Sequence, residues 1–181
     1  PASYFSRSMM SIQKITELYS DLLLQIQSIN PKAKFIFTLS PVRHLKDGFT
    51  ENMESKSILY LSIQDLVRNF NHAAYFPSYE IMLDDLRDYR FYGEDMVHPG
   101  ELGIQYIYNH FGRTYYSDNT MELIKKIGKI KKALSHRPLT DDKKSLQEFY
   151  QTLYVKMEGF EQKNNIDFSE YPARNVCKLK S

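Results

Sequence analysis

Apolar residues recur at helical spacing over the first thirty residues of the chain and then give way to a short continuous apolar run. Between Ile12 and Ile26 they fall on one helical face, and Pro31 stops the pattern, which predicts a helix over about 11–29. The run KFIFTLS, residues 34–40, is rich in aromatic and β-branched residues and closes at Pro41, which is typical of a buried strand. The pattern therefore predicts a helix followed by a strand.

The same succession of helix and strand continues as far as about residue 111. The pattern predicts a loop at 41–50, a helix at about 54–70, a strand at 73–78, a short helix or irregular turn at 80–88, a loop at 93–100 and a helix at 100–111. Helices that alternate with buried strands are typical of an α/β fold with a parallel sheet. Because two strands do not complete such a sheet, we expect the C-terminal part of a doubly wound domain, with the other strands outside this chain.

The pattern changes at about residue 118, where two amphipathic helical stripes follow each other. The segment HRPLTDD separates them, since Pro138 breaks the first helix and Thr140 can cap the second. This arrangement predicts an antiparallel helical hairpin. We therefore divide the chain into an α/β domain at 1–117 and a hairpin extension at 118–181, whose tail from about residue 164 is expected to be weakly ordered.

Composition and charge fit an ordinary soluble protein and argue against several classes of partner. Of the 181 residues, 42% are hydrophobic and 25% are charged, and the net charge is only +2, so nothing favours nucleic acid or an anionic membrane. No apolar run reaches the length of a membrane-spanning helix, and a single cysteine cannot form an internal disulfide. The predicted helix at 121–137 is rich in lysine, and we favour a solvated face over a surface that binds membranes, nucleic acid or an acidic partner.

The first residues of the chain bear on its completeness. They read PASYFSRS, with neither an initial methionine nor the pattern of a signal peptide. We therefore expect a cytoplasmic protein, and a chain that lacks the N-terminal part of the same protein or domain. A catalytic residue that this chain lacks would lie in that part.

The loop GEDMVHPG, residues 93–100, contains a candidate catalytic pair. Asp95 lies three residues before His98, so a turn can bring its carboxylate to Nδ1 of the imidazole and leave Nε2 free to act as a base. Pro99 favours the first position of a helix, which would place His98 at the positive end of that helix. The pattern D-x-x-H is weak by itself, and two polar residues at a helix start are the alternative. No further ligands stand at metal-binding spacing nearby, so we expect neither a metal nor another cofactor.

Other polar residues follow the first predicted strand, at the carboxyl end where the sites of α/β proteins lie. Arg43 and His44 can bind a carbonyl oxygen or a hydroxyl-rich group of a substrate; equally, Arg43 can pair with an acid and His44 can cap a turn. Ser40 is the best local candidate for a nucleophile, but TLSPV offers neither glycine neighbours nor amide donors, so a turn hydroxyl is favoured. For the charged segment 87–90, an ion-pair network is favoured over a charged wall beside the site.

The runs LSPVRHLKDGF and YFPSYEIMLDDLRDYRFYGEDMVHPG resemble the GSCFA-domain family of the SGNH/GDSL-type hydrolase superfamily, over about residues 1–117. The resemblance implies a flavodoxin-like, three-layer α/β/α domain in which Asp95 orients His98 and His98 activates a serine. It also places Arg43 and His44 near the active site. The Gly-Ser-Cys-Phe-Ala motif that names the family does not occur here, and the glycine and asparagine blocks that help form the oxyanion hole cannot be matched.

The resulting hypothesis is a serine esterase that hydrolyses an acyl or acetyl ester, of which this chain carries the Asp-x-x-His block but not the nucleophile. The superfamily implies a small-molecule ester or an acylated carbohydrate as substrate. We expect the intact parent protein to be active and this chain alone to be inactive. The alternative is a non-catalytic binding or structural module that uses the surface of the fold and the helical hairpin to hold a partner.

Overall fold

The computed structural model describes Tyr4, residues 8–135 and residues 142–168. The chain divides into two compact units, of which the first ends at Thr114 and the second begins at Tyr115. Most of the predicted weakly ordered tail lies outside the described residues.

The first unit alternates helices with two strands, as the apolar pattern predicts. Its elements are α1 (Ile12–Ile29), β1 (Phe35–Thr38), α2 (Phe49–Asn69), β2 (Ala73–Phe76), α3 (Ser78–Glu80), which continues as a π-helical turn (Ile81–Asp85), and α4 (Glu101–Tyr115), with 3-10 turns at Leu45–Asp47 and Tyr89–Phe91. The two strands are parallel neighbours, with Phe35 opposite Ala73 and Thr38 opposite Phe76. The expected mixture of helices with a parallel sheet is confirmed, whereas the complete three-layer domain stays a prediction.

Several elements begin or end a few residues from their predicted bounds, for local reasons. α1 begins at Ile12 because Ser11 caps it: the Ser11 hydroxyl accepts the amide of Lys14 at 3.2 Å. α2 begins at Phe49 rather than near residue 54, because Gly48, with φ at 99°, turns the chain directly into the helix. The strands contain four residues each and are shorter than the predicted runs.

Helices cover both faces of the sheet. On one face, the rings of Tyr19 in α1 and Phe37 in β1 lie 6.2 Å apart, edge to face. On the other face, Phe76 in β2 packs against Phe111 of α4 at 5.1 Å. Leu66 of α2, 1% exposed, belongs to the core of this unit. The polar residues that follow β1 and β2 therefore emerge at one edge of a sheet that is covered on both faces.

The sheet also has an open edge and an apolar groove. Among the described residues β1 pairs only with β2, so its other edge presents backbone groups without a strand partner. Between β1 and α4 lies a groove of about 440 Å³, whose lining includes Ile36, Ile104 and Tyr108. The side chains of Ile36 and Ile104 are 44% and 58% exposed. A further strand could pair with β1 here and cover these side chains.

The described part of the second unit contains two helices that pack around their own core. They are α5 (Asp118–Ser135) and α6 (Lys143–Asn164), and the buried side chains of the core are Ile130, Leu153, Met157 and Phe168. The predicted pair of amphipathic helices is therefore present. The predicted cap of the second helix is wrong: Thr140 lies outside the described residues, and α6 is capped by Asp142, which accepts the amide of Ser145 at 2.9 Å.

The lysines of α5 lie on its outer face. Their side chains, at positions 125, 126, 129, 131 and 132, are all exposed. Ile127 and Ile130, on the opposite face, pack into the core of the unit. Lys126 also forms an ion pair with Glu122 at 2.6 Å. This distribution fits the solvated face that the sequence favours.

Gly103 marks a close approach between α4 and the segment that leads into the candidate loop. A Cβ added there would lie 2.7 Å from the carbonyl oxygen of Phe91, so α4 or that backbone must shift. We expect Gly103→Ala to lower the free energy of unfolding by about 1–3 kcal/mol. Gly128 in α5 is the matched control, because a Cβ there meets nothing within 4 Å. Gly128→Ala should stabilise its helix by about 0.5–1 kcal/mol, and urea unfolding monitored by circular dichroism measures both; equal effects would contradict the close approach.

Candidate active site

Backbone pairing closes the loop that carries Asp95 and His98. Tyr92 and Pro99 face each other in an antiparallel bridge, and the Gly93 amide donates to the His98 carbonyl at 2.8 Å. The two ends of the loop are thus tied together by the backbone, which limits the positions that His98 can take.

Inside the loop the chain turns sharply at Met96. The Met96 amide donates to the Gly93 carbonyl at 3.0 Å, and Met96 has φ 55°, in the left-handed region that few residues other than glycine adopt. The turn aims the amides of Val97 and His98 at Oδ1 of Asp95, at 2.9 and 3.0 Å. Oδ2 of Asp95 lies 2.6 Å from Nδ1 of His98. The expected hydrogen bond between Asp95 and His98 is therefore present.

These bonds set the ionisation of Asp95 and the tautomer of His98. The pKa of Asp95 falls from its usual 3.8 to about 2, because the His98 amide, the His98 ring and the Val97 amide all bond to the carboxylate. An ionised carboxylate only accepts hydrogen bonds, so Nδ1 carries the hydrogen, and Nε2 of the neutral ring has the lone pair that a general base needs. The His98 side chain is 63% exposed, which excludes a histidine buried in a packed core.

The titration of Asp95 checks this geometry. We expect its carboxyl carbon, followed by NMR, to titrate with a pKa of about 2. His98→Ala removes the ring bond but keeps the two amide bonds, so the pKa should rise only part of the way to 3.8. Because folding lowers this pKa, the stabilisation by ionised Asp95 is present above pH 3.8 and is lost as the pH falls through about 2. An unchanged midpoint in His98→Ala would contradict a bond between the two side chains.

The expected position of His98 at a helix start is wrong. Pro99 does not begin the helix: it lies in the bridge that closes the loop, and α4 begins at Glu101. The Gly100 amide donates to the Phe91 carbonyl at 2.7 Å, which extends the pairing of the two ends of the loop and delays the helix. His98 is therefore oriented by a carboxylate rather than placed at the end of a helix.

The loop after β1 brings Arg43 beside the candidate pair. The Arg43 amide donates to the Val97 carbonyl, at 3.4 Å, in the peptide next to His98. The guanidinium donates to the hydroxyl of Tyr92 at 3.1 Å and lies 4.6 Å from the centre of its ring. The sequence left open that Arg43 pairs with an acidic residue; its guanidinium instead bonds to the hydroxyl of Tyr92.

His44 and Ser40 are the two other polar residues after β1 that the sequence singles out, and they have different environments. His44 occupies the N-cap position of the 3-10 turn at Leu45–Asp47, and its carbonyl accepts the Asp47 amide at 3.2 Å. Its exposed side chain makes no capping hydrogen bond, and its own amide donates to Oδ1 of Asn52 at 2.9 Å. His44 therefore caps the turn through its backbone and not through its imidazole. The Ser40 hydroxyl accepts the Val42 amide at 3.3 Å, which is the turn role that the sequence favours.

The charged segment 87–90 forms local ion pairs beside a small cleft. Arg87 lies 3.7 Å from Asp84, and Arg90 lies 3.8 Å from Asp88, with all four side chains exposed. Such exposed pairs contribute little to stability. A cleft of about 200 Å³ has in its lining the side chains of Arg43, Leu86, Arg87, Asp88, Tyr89 and Tyr92. The ion pairs that the sequence favours are present, and the same segment borders the cleft next to Arg43.

Three further residues act at or near this site without having been singled out in the sequence. Tyr92 holds Arg43, and Met96 makes the left-handed turn before His98. Lys56 is 3% exposed, and its ammonium donates to the Ser40 carbonyl at 2.6 Å. Only Lys56 has a usable signal in the sequence, because it precedes Ile63 by seven positions and therefore shares the apolar face of its helix.

Two negative findings apply to the parts of the chain that the structure describes. Residues 8–135 and 142–168 contain no group of three or more histidine, cysteine or acidic side chains arranged to hold a metal ion. Within the same ranges, every helix is too short or too polar to cross a membrane.

Two family models match the chain. One, described as the GSCFA family, matches residues 1–111, and the other, described as the C-terminal domain of GSCFA domain proteins, matches residues 127–171. No curated protein and no solved structure matches it. The first match contains both the loop of Asp95 and His98 and the loop of Arg43, so the candidate site lies within the region that the family model describes.

Proposed function

The chain belongs to the GSCFA family, and from that premise we propose that it carries the acid and the base of a serine esterase of the SGNH/GDSL type. The observation that carries the proposal is the 2.6 Å bond between Oδ2 of Asp95 and Nδ1 of His98. The described part of the chain gives Nε2 no hydrogen-bond partner, and the ring is exposed. Asp95 orients the ring and stabilises the imidazolium, and His98 moves the proton.

The proposed reaction is hydrolysis of an acyl or acetyl ester in two steps. His98 Nε2 takes the proton of a serine hydroxyl as the serine oxygen bonds to the acyl carbon. The bond from that carbon to the alcohol oxygen breaks, and His98 gives the proton to the departing alcohol. His98 then takes a proton from water as the water oxygen bonds to the acyl carbon, and it returns the proton to the serine as the carboxylic acid leaves. This scheme uses no metal and no organic cofactor.

Arg43 and His44 are the residues we propose for substrate binding. The guanidinium of Arg43 is held against Tyr92, beside the peptide of His98, and its other N–H groups can donate to a carbonyl or hydroxyl oxygen. The adjoining cleft is also lined by Tyr89, which is 65% exposed and offers an aromatic surface to a sugar ring. These groups suit a small acyl ester or an acylated carbohydrate.

The nucleophilic serine, in this proposal, belongs to an N-terminal part of the same protein or domain. The serines that follow the two strands are engaged locally: Ser78 donates to the Leu39 carbonyl at 2.8 Å, and Ser40 accepts a backbone amide. The open edge of β1 offers a pairing site for a parallel strand. Such a strand would end beside the loop of Arg43, which is where the serine is needed.

The first test compares this chain alone with a protein that joins it to the part carrying the serine. Alone, the chain should be nearly inert toward nitrophenyl acetate, because a base without its nucleophile forms no acyl-enzyme. The joined protein should release nitrophenol at least about 10³-fold faster. Strong activity of the chain alone would show that a serine within it, such as Ser40, acts as the nucleophile. An inactive but folded joined protein would favour the alternative, a binding or structural module that acts through its surface and its second unit.

A further inference from the structure

Lys56 is a buried charged residue that the proposed chemistry does not use. Its side chain is 3% exposed, the lowest value for a charged residue in the part of the chain that is described. It lies in α2, where its ammonium donates to the Ser40 carbonyl at 2.6 Å and lies 5.9 Å from the ring centre of Tyr79. Burial lowers the pKa of Lys56, because taking an ammonium away from water is unfavourable. An apolar residue would avoid this cost, so the bond to Ser40 needs an explanation.

That bond joins α2 to the loop that reaches the candidate pair. Ser40 lies two residues after β1, and its hydroxyl accepts the Val42 amide, which keeps the loop in a turn. The next amide, that of Arg43, donates to the Val97 carbonyl. Lys56 is thus linked to the Val97–His98 peptide in three steps: its bond to the Ser40 carbonyl, the turn from Ser40 to Val42, and the bond from the Arg43 amide to the Val97 carbonyl.

The contact between the two loops is itself weak. The distance from the Arg43 amide to the Val97 carbonyl is 3.4 Å, which is long for such a bond. It therefore depends on how well the loop after β1 is held. Tyr92 holds the side chain of Arg43. At the start of the loop, the Ser78 hydroxyl holds the Leu39 carbonyl and the ammonium of Lys56 holds the next carbonyl, that of Ser40.

We propose that Lys56 is a positioning residue for His98: it fixes the Ser40 carbonyl, so that the amide of Arg43 keeps the Val97–His98 peptide in place. The inference rests on the proposed function, in which His98 is the base. In this role Lys56 acts through the backbone and not on the reacting atoms. Its loss should therefore lower kcat by misplacing the base, by about 10- to 100-fold, and leave KM nearly unchanged.

The test uses two substitutions of the lysine and a control on the same helix. Lys56→Met has a side chain of similar length without N–H donors, and Lys56→Arg keeps the donors. The larger guanidinium has room, because a cavity of about 460 Å³ adjoins this position. Ser57→Ala is the control, since the exposed Ser57 hydroxyl bonds only within the helix, to the Met53 carbonyl at 2.8 Å.

The first readout is NMR on this chain and does not require activity. In Lys56→Met we expect the Arg43 amide to exchange with solvent about tenfold faster or more, and the ring nitrogens of His98 to shift. Lys56→Arg should restore the wild-type values, and Ser57→Ala should not change them. Unchanged exchange and unchanged His98 signals in a folded Lys56→Met protein would overturn the proposal. If Lys56→Met does not fold, Lys56→Gln is measured in its place. If neither variant folds, Lys56 is a purely structural residue, and the positioning role is overturned.

The second readout is the kinetics of the joined protein. A lower kcat with unchanged KM in Lys56→Met, rescued by Lys56→Arg, is the expected result. A raised KM with unchanged kcat would place Lys56 in substrate binding and overturn the positioning role. If the wild-type joined protein hydrolyses no ester while the NMR changes occur, the proposed function fails and the link between Lys56 and the loop of His98 stands.

Discussion

In a protein that joins this chain to the N-terminal part proposed to carry the serine, His98→Ala should lower kcat for ester hydrolysis by about four to six orders of magnitude. The reason is that the serine and its base act as a unit, so removal of the base leaves only binding and oxyanion stabilisation. Steady-state hydrolysis of nitrophenyl acetate measures the effect, with the fold checked by circular dichroism.

His110→Ala is the matched control for that experiment. His110 lies in α4, and its ring packs against that of Tyr106 in a tilted arrangement, with 4.7 Å between the ring centres. Its described interactions include no contact with the Asp95 loop. We expect this variant to keep kcat within about twofold. Full activity of a well-folded His98→Ala protein would remove His98 from the mechanism.

Asp95→Asn should lower kcat by about three to four orders of magnitude, somewhat less than loss of the base. The asparagine oxygen can still accept the amides of Val97 and His98, so the loop should keep its shape. The amide nitrogen then faces Nδ1 of His98 as a donor. This contact favours the tautomer with hydrogen on Nε2, which cannot take a proton from the serine.

Two measurements separate a tautomer effect from a loss of folding in Asp95→Asn. Ring nitrogen NMR should report hydrogen on Nε2 in the variant and on Nδ1 in the wild-type protein at neutral pH. Unfolding by urea should give nearly the same midpoint for both. A variant with the wild-type tautomer and wild-type kcat would show that Asp95 only shapes the loop.

The alternation of apolar patterns was sufficient to predict the elements of the first unit. Apolar residues spaced three to four positions apart predicted the helices. Two short apolar runs predicted the two strands, which pair in parallel. These patterns arise because each helix or strand buries one side along its whole length, so many residues contribute to the prediction of one element. The ends of an element depend on single residues: α2 begins at Phe49 because Gly48 turns the chain, and α6 is capped by Asp142.

The sequence predicted the hydrogen bond between Asp95 and His98 for a similar local reason. Asp95 and His98 are three residues apart, so one turn is enough to bring the carboxylate to the ring. The position of Pro99 misled the prediction, because the pairing of Tyr92 with Pro99 outweighs the preference of proline for a helix start.

The contacts that join distant segments carry no local signal. Arg43 meets Tyr92 across 49 positions of the chain, and Lys56 reaches Ser40 from a different element. Their side chains are of types that usually lie in solvent. The apolar face of α2 indicates that Lys56 is buried, but only the packing of α2 and of the loop after β1 shows which groups Lys56 and Arg43 bond to.

The central claim is that His98 drives acyl transfer through a serine, and the acyl-enzyme tests it most directly. The joined protein is mixed with nitrophenyl acetate, quenched in acid within milliseconds to seconds, and analysed by intact and peptide mass spectrometry. The account predicts an acetyl group on a single serine of the N-terminal part in the wild-type protein, formed as nitrophenol is released, and almost none in His98→Ala over the same time. Steady hydrolysis without a serine-bound acetyl group, or equal labelling of that serine in both proteins, would contradict it.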